Sequence, residues 1–177
     1  MTIARCYNAY AAHDDRLVRA SNQIALIVAA SQPFYPIYVW WIAGADAWPT
    51  LFTLLSTPLF LAVPALSRVN GIAGRALLPL AGIANTILAA VLMPPSVGVL
   101  LFLGPILMIA SLQFRAAERW AGWLIAALAG AVYFGLDTGI SWALVTVAPS
   151  VAAQLVTLNA ISAGSLIVIC GMAFASD

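Results

Sequence analysis

The chain contains no lysine, and its seven arginines fall only in alternate gaps between long apolar runs. Arg5, Arg16 and Arg19 precede the first run, Arg68 and Arg75 follow the second, and Arg115 and Arg119 follow the fourth. The intervening links, which contain Asp46, Pro94-Pro95 and Asp137, carry no basic residue. A chain that is 64% hydrophobic and 7% charged, with a mean hydropathy of +1.03, has more apolar surface than a water-soluble core can hide. The runs therefore read as membrane spans, and the positive-inside rule puts both termini in the cytoplasm. The expected fold is all-α, a bundle of six transmembrane helices of about 17 to 25 residues, each able to cross a hydrocarbon core of about 30 Å.

Residues 1–22 form a cytoplasmic segment in which Ile3, Tyr7, Tyr10 and Leu17 recur at the spacing of an amphipathic helix lying on the membrane surface, and a frayed, solvated tail is the equal alternative. The six-helix transmembrane domain occupies residues 23–177. Asp14 or Asp15 caps a helix that runs through Asn22 and Gln23 into span one, residues 23–43. Trp48-Pro49 opens span two, residues 50–66, which Ser56-Thr57-Pro58 and Pro64 allow to bend. A basic loop, Ser67 to Arg75, uses Gly71 and Gly74 as turn residues. Span three covers residues 76–93, Pro94-Pro95-Ser96 turns the chain, and spans four and five cover 97–114 and 120–136. Residues 140–148 either continue the fifth helix or lie along the outer surface before the last span, residues 151–175. The first apolar run is too long for a secretory signal, so no cleaved leader is expected.

Each common membrane chemistry needs a particular residue at a particular depth, and most of those residues are missing. Without lysine there is no retinal Schiff base. The single histidine, His13, precedes the first span, which leaves no paired haem ligands in the bundle and no HExxH zinc site. Cys6 and Cys170 lie near opposite ends of the chain, so neither a metal site nor a disulfide framework is expected. Asp46, Glu118 and Asp137 are the acids between spans, each at a membrane edge, which counts against a proton-coupled transporter unless Asp137 is the exception. No GxSxG motif and no acidic cluster for magnesium is present. The chain is thus expected not to be an enzyme and to hold no cofactor, and a net charge of +1 gives no reason to expect nucleic acid.

The polar groups that remain gather around Ser31-Gln32-Pro33-Phe34-Tyr35-Pro36-Ile37-Tyr38, a proline-broken stretch inside the first run. Irregular backbone at membrane depth is expected only where protein or a cavity covers it. Gln32, Tyr35, Tyr38, Asn85 and Asp137 sit in the middle or outer part of their spans and are candidates to line one outward-opening pocket, joined by Asn159 and Ser162 from span six. Aromatic and aliphatic walls suit a small lipophilic ligand. The competing readings are that Pro33 and Pro36 merely kink the span, with its tyrosines and tryptophans as interfacial anchors, and that each polar residue serves interhelical hydrogen bonding, worth roughly 0.6 kcal/mol in a bilayer. Small residues four apart, Gly82 with Thr86 and Ala90, and Ala126 with Gly130, permit close helix approach.

Val63-Pro64-Ala65-Leu66-Ser67-Arg68 at the end of span two and Phe114-Arg115-Ala116-Ala117-Glu118-Arg119 after span four resemble the corresponding segments of the six-span membrane anchors of bacterial class III adenylate cyclases and related sensor kinases. Pro36-Ile37-Tyr38-Val39-Trp40 is similar to the first span of some autoinducer receptor kinases. The resemblance covers residues 22–176 and implies a ligand-sensing homodimer in a bacterial inner membrane that passes a signal from span six to a cytoplasmic output domain. This chain departs from the pattern in carrying no output domain, so it is either a receptor domain of a longer protein or one that works with a partner protein.

Two functions fit these readings. One is a non-catalytic signal-sensing receptor domain, in which a lipophilic ligand shifts the packing of spans one and six. The alternative is a small transporter or channel subunit built around the proline-broken spans.

Overall fold

The computed structural model describes residues 3–137 and 143–175, and among them every regular element is helical. The α-helices are α1 (Ile3–Ala11), α2 (Arg16–Ser31), α3 (Phe34–Ala43), α4 (Thr57–Val69), α5 (Gly71–Leu92), α6 (Leu103–Leu112), α7 (Arg119–Asp137) and α8 (Pro149–Ala175). Five helical stretches are long and apolar enough to cross a membrane: Arg16–Ala43, Ala45–Val69, Gly71–Leu92, Ala116–Leu136 and Pro149–Ala175. The fourth expected span is shorter, Val99–Leu112, because the left-handed turn at Gly98 (φ 74°) and the 3-10 turn Pro95–Val97 before it take up residues assigned to its start.

Asp15, not Asp14, caps α2: its backbone is extended and its carboxylate accepts from the Leu17 N–H at 2.9 Å. The helix thus begins seven residues before the apolar run. The preceding helix is docked rather than loose. The Tyr7 hydroxyl donates to the Gln23 carbonyl and the Tyr10 hydroxyl to the Leu61 carbonyl, both at 2.9 Å, which pins α1 across α2 and α4.

The two prolines of the first span make one break. Val28 accepts from the Gln32 N–H to complete α2, and Pro33, which has no N–H, ends the ladder. Pro36 lies in the first turn of α3, where an N–H would have no intrahelical partner, so it costs the helix nothing.

Span two differs most from expectation. Its first half, Ala45–Ser56, is wound as a twelve-residue 3-10 helix, far beyond the usual three or four. The sequence explains it. Ala47, Thr50, Thr53 and Ser56 recur every third residue and are all buried, while Trp48, Leu51, Phe52 and Leu55 are exposed. A helix of three residues per turn stacks the four on one face. Thr50 donates to the Ala47 carbonyl and Thr53 to the Thr50 carbonyl, each at 2.7 Å, so the hydroxyls reinforce the tight winding from the side.

The expected basic loop 67–75 is mostly helix. Only Asn70 separates α4 from α5, and its side chain caps α5 by accepting from the N–H groups of Ile72 and Ala73. Gly74 is no turn residue; a Cβ there would come within 2.6 Å of the Ser67 Cα, so it lets the two helices touch. Gly122 does the same for α7 against the Ala110 carbonyl, whereas Gly130 has nothing within 4 Å and takes no part in packing. Residues 143–148 are not helical, and the Val145 N–H donates to the Leu92 carbonyl, so this part of the segment crosses the end of α5.

Helix α5 is central, contributing to three buried clusters. One, with Ala20, Ile24, Phe60, Leu78, Ile109 and Phe174, lies toward the arginine-bearing end. A second, with Val39, Ala89, Leu92, Val97 and Leu155, lies toward the other. The third joins α5 to α6 and α7 through Ile83, Ile106, Phe114 and Ile125. Outside, Leu59, Leu80, Leu107, Leu128, Ile161 and Val168 are exposed along the flanks, as lipid-facing surface is.

Arg75, expected in a solvated loop, is the largest fully buried side chain among the described residues, 2% exposed. Its Nε donates to the Gly71 carbonyl, one terminal nitrogen to the Gln113 carbonyl, and the other to Glu118 Oε1 at 2.9 Å. Glu118 also accepts from the Arg115 N–H, and Arg115 pairs with Asp15 at 2.9 Å. Gln113 in turn accepts from Ser21. The contacts run from the cap of α2 through the starts of α7 and α5 and the end of α6 back to α2. Replacing Arg75 by Met should strand Glu118 and the Gln113 carbonyl and cost about 3 kcal/mol or more. Lys should restore little of this, since an ammonium cannot reproduce the three-way fork. Denaturation of the purified protein in lipid nanodiscs checks both; a Lys variant as stable as wild type would refute the account.

Candidate functional site

Between the two end clusters, at the level of the α2–α3 break, α2, α3, α4, α5, α6 and α8 surround a cavity of about 300 Å³. The break borders it. Gln32 and Pro33 keep helical dihedrals while Pro33 interrupts the hydrogen-bond ladder, and Phe60, Leu78 and Ile109 from one cluster face Tyr38, Ala89 and Val99 from the other across the gap.

Gln32, Tyr35, Tyr38 and Asn85, four of the residues singled out from sequence, all lie on its wall. Gln32 donates to Ser56 at 3.3 Å. The Ser56 hydroxyl lies 2.8 Å from both the Thr53 carbonyl and Asn85 Oδ1, so its one proton serves one of them at a time. Asn159 stands one step behind the wall: its Oδ1 accepts from the Tyr38 hydroxyl and its Nδ2 donates to the Val97 carbonyl, each at 2.8 Å. It orients Tyr38 and ties α3 to α8. The side chain of Asp137 lies outside the described residues. Ser162 joins the lining as expected.

Tyr35 is the exception among these polar groups. Its ring packs edge-on against Tyr38, centroids 5.4 Å apart, and its hydroxyl oxygen is buried without a hydrogen-bond partner among the described residues. Hydroxyls in such surroundings ordinarily find an acceptor, because leaving one unpaired costs about 1–3 kcal/mol. The lining, among the described residues, contains no carboxylate, arginine or histidine.

The mouth does not lie at the outer end, where the sequence suggests it. The exposed lining residues, Ile27, Ser31, Phe34, Ser165 and Ile169, belong to the middle of the bundle, so the cavity opens on its flank rather than at the arginine-free end. The lining that sequence reasoning missed, Phe60, Phe102, Ile106, Leu166, is apolar, and nothing distinguishes such residues from core in the sequence alone. Gly82, read as a close-approach residue, is one, since a Cβ on it would lie 2.9 Å from the Ile106 side chain, and it borders the cavity as well.

No family model, curated protein or solved structure matches the chain.

Tyr38→Phe should destabilise the protein by about 1 kcal/mol through loss of the Asn159 bond, while Tyr35→Phe should leave stability unchanged or raise it, since the removed hydroxyl had no partner. Thermal unfolding in nanodiscs distinguishes them, and equal losses would show that Tyr35 is hydrogen-bonded after all.

Proposed function

We propose that this chain is a signal-sensing membrane domain that binds a small lipophilic molecule in the cavity at the α2–α3 break and relays occupancy to a cytoplasmic output domain or partner. The observation that carries the reading is Tyr35, a buried hydroxyl without a partner on the wall of an apolar cavity. Such a group is a ready contact for a bound molecule.

The relay follows from what the cavity separates. Helices α3 and α8 are joined at one end by Tyr38 and Asn159, and α2 and α8 at the other by Arg16, which donates to the Phe174 carbonyl at 2.6 Å. A ligand in the gap that favours a slightly different spacing of these helices shifts the population at both ends, including the exit of α8. This matches what the resemblance to the cyclase and sensor-kinase anchors implies, a homodimeric sensor in a bacterial inner membrane with six crossings and both termini in the cytoplasm. Exposed Trp40, Trp41 and Trp48 at one end of the bundle and Trp120 and Trp123 at the other are placed as interfacial aromatic belts. Arg115 and Arg68 at the latter end are exposed, as cytoplasmic charges are.

Two measurements test the proposal. In a chain lacking Cys6 and Cys170, a cysteine at Asp46 or Ser96 should react with an impermeant thiol reagent from outside whole cells, and one at Val69, 85% exposed, should not. Labelling at Val69 sinks the topology. In nanodiscs, a short neutral alkanol such as 1-nonanol should raise the Tm of the wild type and fail to do so in Gly82→Leu, whose side chain fills the cavity. Tyr35→Phe should weaken binding by on the order of 1 kcal/mol. A wild-type Tm that does not respond, or that responds equally in Gly82→Leu, would falsify the binding site.

A further inference from the structure

The cavity wall carries more information than its existence: it fixes charge, size, polarity and direction of approach. Among the described residues no Arg, Lys, His, Asp or Glu lines it, so a charged ligand would be buried with no counter-ion in apolar surroundings, which disfavours it strongly. Its volume of about 300 Å³ lies at the bottom of the range for small-molecule sites, so the part of a ligand that it encloses is small. Of the polar groups on the wall, Ser31 donates to the Val28 carbonyl, Thr86 to the Gly82 carbonyl and Tyr38 to Asn159, while Gln32 and Asn85 both bond Ser56 behind the wall. Ser162 is half-buried and Ser165 exposed. The buried Tyr35 hydroxyl remains, and it needs an acceptor.

The mouth gives the route. Ile27 and Ser31 on α2, Phe34 on α3, and Ser165 and Ile169 on α8 are the exposed residues of the lining. The helices close on each other on both sides of this opening, through Tyr38 and Asn159 on one side and through Cys170 and Phe174 packed with Ala20 and Ile24 on the other. The gap between them sits midway along apolar helices, at the depth of hydrocarbon.

Resting on the reading of this cavity as a ligand site, we infer that its ligand is a small uncharged lipophile with one hydrogen-bond acceptor for Tyr35, and that it enters sideways from the bilayer between α2–α3 and α8. Partition into the membrane concentrates the ligand at the mouth. Selection against charge is then made by the wall, not by the route.

The test uses the full chain in phosphatidylcholine vesicles and a diazirine-bearing nonanol as photoprobe, with adducts mapped by mass spectrometry. Adducts are expected on peptides containing Tyr35, Phe102 or Ile106. Excess 1-nonanol should suppress them about tenfold, and nonyl sulfate, of the same chain but permanently anionic, less than about twofold. Equal suppression by nonyl sulfate overturns the selection for neutral ligands while leaving the site standing. Absence of cavity adducts in the wild type overturns the site and this inference together. For the route, Ser165→Trp and Ser31→Trp narrow the mouth from its lipid-facing rim. They should slow the build-up of adducts after probe addition without lowering the plateau, whereas unchanged kinetics in both overturn lateral entry. Where either variant fails to fold, as read by thermal unfolding, Ile27→Trp takes its place at the same rim.

Discussion

A buried guanidinium holds one end of this bundle together. Arg75 is inaccessible to solvent, and a cation there is tolerable only because each of its nitrogens has an acceptor. Those acceptors come from its own helix, from the last turn of α6 and from the turn that starts α7. The ion pair with Glu118, at 2.8 Å, therefore sets where α6 ends and α7 begins. The guanidinium lies over the Phe114 ring, 5.6 Å from ring centroid to Cζ, which adds a cation–π contact to the hydrogen bonds. Through Gln113 and Arg115 the same charge reaches both Ser21 and the cap of α2, so the helix that borders the cavity is fixed at its start.

With that end clamped, the cavity follows from what the first span cannot do. Proline at 33 interrupts the hydrogen-bond ladder between α2 and α3, and α3 is supported at its far end by Tyr38 and Asn159. Two well-packed clusters form, one above and one below the break. Neither supplies side chains to the space between, because residues long enough to fill it are turned outward, as Phe34 is at 66% exposure. Polar residues around the gap bond to each other across α2, the 3-10 segment and α5, and this keeps the walls from collapsing inward.

The sequence is most legible where a residue's chemistry is out of place. Glutamine, tyrosine and asparagine in apolar runs must find partners, so residue type alone groups Gln32, Tyr35, Tyr38 and Asn85, and they do share one wall. Asn159 belongs to the same group by type and acts at one remove. Arg75 is not legible in this way, because an arginine beside glycines reads as a loop whether it faces water or Glu118; only the partner 43 residues away distinguishes the two. Gly71 and Gly74 mislead for the same reason, since a missing side chain signals a turn and a close approach equally. The flank-facing mouth is not legible at all, because it depends on which sides of α2 and α8 fail to meet.

The 3-10 segment has its signal in plain view, since Ala47, Thr50, Thr53 and Ser56 keep a strict spacing of three, but Pro49 and Pro58 beside them read more readily as bends in an α-helix. That spacing changes what kinds of length variation this stretch tolerates. In an α-helix a buried face comes back close to register only after about seven added residues, two turns. Here about three added residues restore the face and lengthen the segment by about 6 Å. An insertion between Gly44 and Thr57 accordingly keeps the buried face only when it comes in whole triplets, each carrying its own small or hydroxyl-bearing residue, and it then lengthens this span without disturbing the helices on either side.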